Sequence, residues 1–142
     1  AFFDDPNTKA ALWGERSTAR ILALQKKMDI ALFGVGSIFA EVPSQVYAGG
    51  YLSEGDVASL EKEGIVGDVA TVFFRADGSW QDIPINLRSS GPGIDVIRNT
   101  PRRLCVLSGQ SRLQSLKGAL SAELITDLII DDSTARALIA NP

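Results

Sequence analysis

The stretch Met28–Ser37, MDIALFGVGS, decides how the chain folds. Ile30, Ala31, Leu32, Phe33 and Val35 form a short apolar run that closes on Gly34-Val35-Gly36 and the hydroxyl of Ser37. A run apolar on successive residues is the pattern of a strand covered on both faces, as in a parallel sheet flanked by helices, and predicts a strand over Ile30–Val35. Glycines at its carboxyl end let the backbone turn tightly and approach a bound molecule. Ligands of open α/β sheets sit at the carboxyl ends of strands. A ligand site is therefore expected at Gly34, Gly36 and Ser37, although a tight turn with no ligand fits the same residues.

Upstream, Asp5-Pro6 reads as an N-cap followed by proline at the first helical position. That helix is expected to stop near Gly14 and a second to begin around Ser17, with Ile21, Leu24 and Met28 forming one apolar stripe. Downstream, residues 38–51 read as a loop containing Pro43, Gly49 and Gly50. Ser53 caps the next helix, Asp56 sits three residues on as its reciprocal partner, Leu52 and Val57 are placed to staple, and Gly64 closes it. Gly67-Asp68 then precedes VATVFF, residues 69–74, which reads as one strand turned back by Ala76-Asp77-Gly78.

Residues 84–101 are rich in proline and glycine and predict a loop with a short helix at Ile94–Arg98. In the last third, Leu104–Leu107 reads as a strand, Ser108-Gly109 as a turn and Ser111–Leu120 as a helix. Leu124–Ile130 follows as a second strand, and Asp131-Asp132-Ser133 caps a helix reaching Ile139. That is one βαβ unit, expected to be parallel.

At 142 residues the chain is one domain at most. No segment approaches the roughly 18 apolar residues of a membrane span, and no signal peptide is recognisable. The sequence opens directly on Ala-Phe-Phe and reads as a piece of a longer protein. Cys105 is the single cysteine and lies inside an apolar run, which fits a buried thiol and a cytoplasmic setting. With no histidine, the chain contains neither a Ser-His-Asp nor a Cys-His constellation, and no zinc cluster or other metal site is expected. The net charge is −3 and cations cluster no further than Lys26-Lys27 and Arg102-Arg103, so the sequence shows little sign of the basic face expected of a self-sufficient nucleic-acid binder.

Three further places bear on chemistry. Gly34-Val35-Gly36 lacks the third glycine of a dinucleotide fingerprint, Phe39 standing in that place, and no nicotinamide, flavin or other cofactor is expected. In Ser108-Gly109-Gln110-Ser111-Arg112 a strand enters a glycine turn and then a helix amino terminus, where unpaired N–H groups favour an anion. Arg112 in that first turn is disfavoured by about 0.3–1 kcal/mol unless an anion is bound, and a solvated surface arginine is the alternative. Asp68, between Gly67 and a hydrophobic strand, is an awkward carboxylate unless it caps a turn or grips a hydroxyl. Arg88, in the loop before Gly91, meets either an anion or water.

Taken together, DIALFGVGS, YLSEGDVASLEKEGIVGDVATVFFRADGS, PRRLCVLSGQSRLQSLKGAL and LITDLIIDDSTARAL, in this order, resemble the effector-binding domain of the SorC/DeoR family of bacterial sugar-responsive transcription regulators. The resemblance runs from about Phe3 to the end. It implies an α/β, Rossmann-like fold similar to sugar-phosphate isomerases and deaminases, a phosphorylated sugar as effector, and a separate amino-terminal helix-turn-helix for operator DNA. It implies that Gly34 and Gly36 form the turn beside the sugar and that Asp68 accepts from sugar hydroxyls. It also implies that Ser108, Gly109 and Arg112 stand at the phosphate turn, with serine replacing the family's first glycine and arginine its lysine. The DNA-binding segment and the first half of the effector domain are missing, so the sheet is expected to be incomplete and the chain to associate as a dimer or tetramer. The rival expectations are an isomerase or deaminase-like enzyme using Asp68 as base, and a purely structural oligomerisation module.

Overall fold

The computed structural model describes residues 2–41 and 43–141. Helices α1 (Pro6–Gly14) and α2 (Arg16–Gln25) lead into strand β1 (Ile30–Phe33). A short helix α3 (Gln45–Ala48) interrupts the following loop, and α4 (Glu54–Lys62) leads to β2 (Ile65–Val69) and β3 (Val72–Arg75). A 3-10 turn at Pro84–Arg88 precedes α5 (Ile94–Arg98) and β4 (Arg102–Leu107). A second 3-10 turn at Gln110–Arg112 then opens α6 (Leu113–Ser121), followed by β5 (Asp127–Ile130) and α7 (Asp132–Ala140).

The caps form as the residue types require. Asp5 accepts from the Asn7 amide with Pro6 at the first position of α1. Ser53 and Asp56 make the reciprocal capping box of α4, and Gly64 beyond it has φ +66°. Strands β1, β4 and β5 form a parallel sheet in the order β1-β4-β5, with Phe33 opposite Cys105 and Cys105 opposite Leu128.

Two expectations are corrected. The sheet is covered on one face, not two. Cys105, Leu107, Phe33 and Leu128 join the core with Leu116 and Leu124, whereas Ile30 and Leu32 of β1, Val106 of β4 and Ile129 of β5 are exposed. A successive apolar run shows that both sides are apolar, which is not the same as both being covered. Second, residues 69–74 are not one strand. The chain reverses at Ala70 and Thr71, with φ 49° and 72°, so that β2 and β3 pair antiparallel as Val69 opposite Val72. The Asp68 carboxylate accepts from the Thr71 amide (3.2 Å) and the Thr71 hydroxyl lies 2.8 Å from that of Ser89, and these contacts hold a turn that lacks the usual Asn-Gly.

The hairpin packs on α6, where the Ser115 hydroxyl donates to the Val66 carbonyl at 2.5 Å. Asn86 completes the hairpin's edge by accepting from the Phe73 amide and donating to the Phe73 carbonyl. A second core of Val46, Leu60, Ile65, Phe73, Ile83 and Ile85 lies on the hairpin's other side. Trp80 packs against both cores, and Trp13 meets Phe3 edge to face at 5.7 Å. Among the described residues no helix is long and apolar enough to cross a membrane.

Candidate functional site

Parallel pairing of β1 with β4 puts the end of the first strand beside the turn after the second. A cleft of about 240 Å³ opens there, lined by Gly34, Val35, Val106, Leu107, Ser108 and Arg112. Arg112 also borders a depression of about 500 Å³ with Glu41, Gly109, Gln110, Ser111 and Ser133. The fold thus brings Gly34 together with Ser108, Gly109 and Arg112, which lie more than 70 residues further along the chain.

The turn at 108–112 is more constrained than a bare helix amino terminus. Gly109 has φ +100°, a conformation that favours glycine, and its amide donates to Asp131 (3.0 Å) and to the Thr134 hydroxyl (3.1 Å). That amide is already engaged within the protein. Asp131 also accepts from the Ser133 hydroxyl and from the Thr134 amide and hydroxyl, and these bonds hold its carboxyl far below the usual carboxylate range. The expected helix start at Ser111 is replaced by the 3-10 turn, and α6 proper begins at Leu113. The Arg112 guanidinium donates to the Ser108 carbonyl at 2.9 Å, which sets it across the mouth of its own turn.

Asp68 meets the first loop from the other side. Gly36 and Asp68 form an antiparallel bridge through amide–carbonyl bonds of 2.8 and 3.3 Å. A Cβ on Gly36 would stand 1.9 Å from Asp68 Oδ1, so glycine is needed there because the carboxylate lies against it. Asp68 is 4% exposed and accepts from the Ser44 hydroxyl (3.3 Å) and the Thr71 amide. Burial outweighs these bonds and pushes its carboxyl up to about 6. Ser37 is fully buried, and its hydroxyl accepts from the Phe39 amide.

Arg88 is not brought to the strand tips. It lines another depression with Asp4, Tyr51, Ser53 and Asp56. Its guanidinium pairs with Asp56 at 2.8 Å and donates to the Phe3 carbonyl at 2.8 Å, tying the chain's beginning to α4. Hydrogen bonds from Arg88 hold Asp56 at about 2. Gln110 and Ser111 border the Arg112 depression as part of the same turn, whereas Glu41 and Ser133 arrive there by tertiary placement. Among the described residues no cluster of acidic residues or cysteine could hold a metal ion.

Residues 1–140 match the family model of the sugar-binding domain, Sugar-bind. The chain belongs to the sugar-binding domain family of SorC/DeoR-type transcription regulators. This sugar-binding domain is 35% identical over 137 residues to the deoxyribonucleoside regulator of Bacillus subtilis, covering 96% of this chain and 43% of that protein. It superposes with TM-score 0.89 on a domain of a possible sugar-binding transcriptional regulator from Arthrobacter aurescens TC1, at 52% identity, over 98% of this chain and 52% of the other. A DeoR family transcriptional regulator from Listeria monocytogenes gives TM-score 0.89 at 28% identity, over 97% of this chain and 55% of the other. The sugar-binding domain therefore spans about half the length of the proteins it resembles.

Proposed function

We propose that the chain is the carboxyl-terminal part of the effector-binding domain of a bacterial DNA-binding transcription regulator, and that its effector is a phosphorylated sugar. The observation that carries this reading is the position of Arg112, which borders both the cleft at the tips of β1 and β4 and the depression at the 108–112 turn. A guanidinium presents a planar fork to phosphate and keeps its charge at any working pH. Gly34 and Ser108 frame the cleft for the sugar, and Asp68 behind Gly36 is the acceptor for its hydroxyls. Kinship with a deoxyribonucleoside regulator supports a carbohydrate ligand. In the longer protein the chain forms a dimer or tetramer, a separate amino-terminal segment contacts operator DNA, and the effector changes operator affinity by binding one arrangement better than another.

The intact protein is tested with ribose 5-phosphate, fructose 6-phosphate and deoxyribose 5-phosphate, each against its unphosphorylated sugar, by thermal melting. A saturable rise with a phosphate, none with the free sugar and no turnover is the expected result. Arg112→Ala should abolish that rise and leave unliganded melting nearly unchanged. Equal responses to sugar and sugar phosphate would remove the phosphate from the proposal, and equal loss with and without ligand would make Arg112 structural.

A further inference from the structure

The depression beside Arg112 carries both signs of charge. It encloses about 500 Å³, within the range of small-molecule sites, and Arg112 is the one cation among the described residues that line it or the adjoining cleft. Two carboxylates stand against that cation. Glu41, an exposed residue of the loop after β1, borders the same depression. It forms no ion pair among the described residues. Asp131 lies behind the wall, accepting from the Gly109 amide at 3.0 Å and from the Ser133 hydroxyl at 2.6 Å, and both of those residues line the depression. The same bonds keep Asp131 ionised, far below the usual carboxylate range.

A phosphate monoester carries a charge of about −1.5 to −2 near neutral pH. Arg112 offsets one unit of it, while Glu41 and Asp131 oppose it, so a ligand whose only charge is its phosphate leaves the site unbalanced. A positive group on the same ligand removes the mismatch. We propose, on the reading that Arg112 holds the phosphate, that the effector is an amino sugar phosphate and that Glu41 selects it by pairing with the ammonium group. A hydroxyl in that place could also donate to Glu41, but it would leave the carboxylate's charge uncompensated, whereas an ammonium makes the stronger, charge-assisted bond. Glu41 and Asp68 then have separate tasks, the first toward the amino group and the second toward the hydroxyls.

The intact protein is titrated calorimetrically near pH 7 with glucosamine, galactosamine and mannosamine 6-phosphates. Each is set against its parent hexose 6-phosphate, which carries a hydroxyl where the amino sugar carries the ammonium. At least one pair should separate, with the amino sugar binding several-fold tighter. Glu41→Gln, at an exposed loop position, should melt with the unaltered protein and bring the members of that pair to the same affinity. Glu41→Lys should reverse their order. Lack of separation in all three pairs, or a separation that survives in Glu41→Gln, would overturn the proposal. Where the hexose phosphates still bind saturably, phosphate recognition stands and only the amino group is lost from the account. Silence toward every phosphorylated sugar, the pentose phosphates included, would overturn the phosphate reading itself and this inference with it.

Discussion

Gly36 and Asp68 show how much a single contact can decide. Neither residue is explained by its own neighbours in sequence, and each is explained by the other. Gly36→Ala would drive a methyl group into the Asp68 carboxylate, 1.9 Å from Oδ1, and should cost about 1–3 kcal/mol in urea unfolding. Asp68 itself sets a pH dependence. Its carboxyl titrates at about 6 when folded against 3.8 as the ordinary value, so the folded state binds the proton more tightly. The stability this provides is fully present below pH 3.8 and is lost as pH rises through about 6, by at most about 3 kcal/mol. Asp68→Asn should flatten unfolding free energy between pH 4 and 6, which denaturant melts at stepped pH would reveal. Asp56 works with the opposite sign: held at about 2 by Arg88, it stabilises above its ordinary value, and that contribution fades as pH falls through about 2.

At the scale of elements, the cap of α7 does two jobs. Asp131 accepts from the Thr134 amide, which starts the helix, and from the Gly109 amide, which fixes the turn beside Arg112. A helix end and a candidate anion turn therefore share one carboxylate. Asp131→Ala should lower the melting temperature as the cap is lost. It should also speed amide hydrogen exchange at residues 108–112, while exchange in the β2–β3 hairpin stays unchanged. Uniform acceleration across both regions would mean that the carboxylate serves only global stability.

For the whole molecule, the uncovered sheet face sets the behaviour. Ile30, Leu32 and Ile129 are each more than half exposed, and α2 adds Ile21 and Leu24 at 56% and 62%. Exposed apolar side chains on one sheet face mark an interface. β1 and β5 are also both edges of the sheet, each with one side unpaired within it. The isolated chain should therefore self-associate at micromolar concentration. Leu32→Lys with Ile129→Lys should shift sedimentation toward the monomer without lowering its melting temperature, because neither side chain contributes to the core.

Much of this fold was written locally. The caps at Asp5, Ser53 and Asp131, the glycine stop at Gly64 and the apolar runs of β1 and β4 are signals between residues a few positions apart, and the sequence by itself determined them. The α/β class and the parallel β4-α6-β5 unit follow from the same local grammar. The hairpin reversal at Ala70-Thr71 was not legible, because its left-handed backbone is held by Asp68 and Ser89 and not by turn residues of its own. Of the candidate site, the two strand-tip turns and Arg112 were visible. Glu41 beside Arg112, the Ser44 bond to Asp68 and the engagement of Arg88 with Asp56 and Phe3 were not. Tertiary structure alone decided those contacts, since they join residues whose separation in the chain carries no periodic or pairwise signal and whose meeting depends on how sheet, hairpin and helices pack.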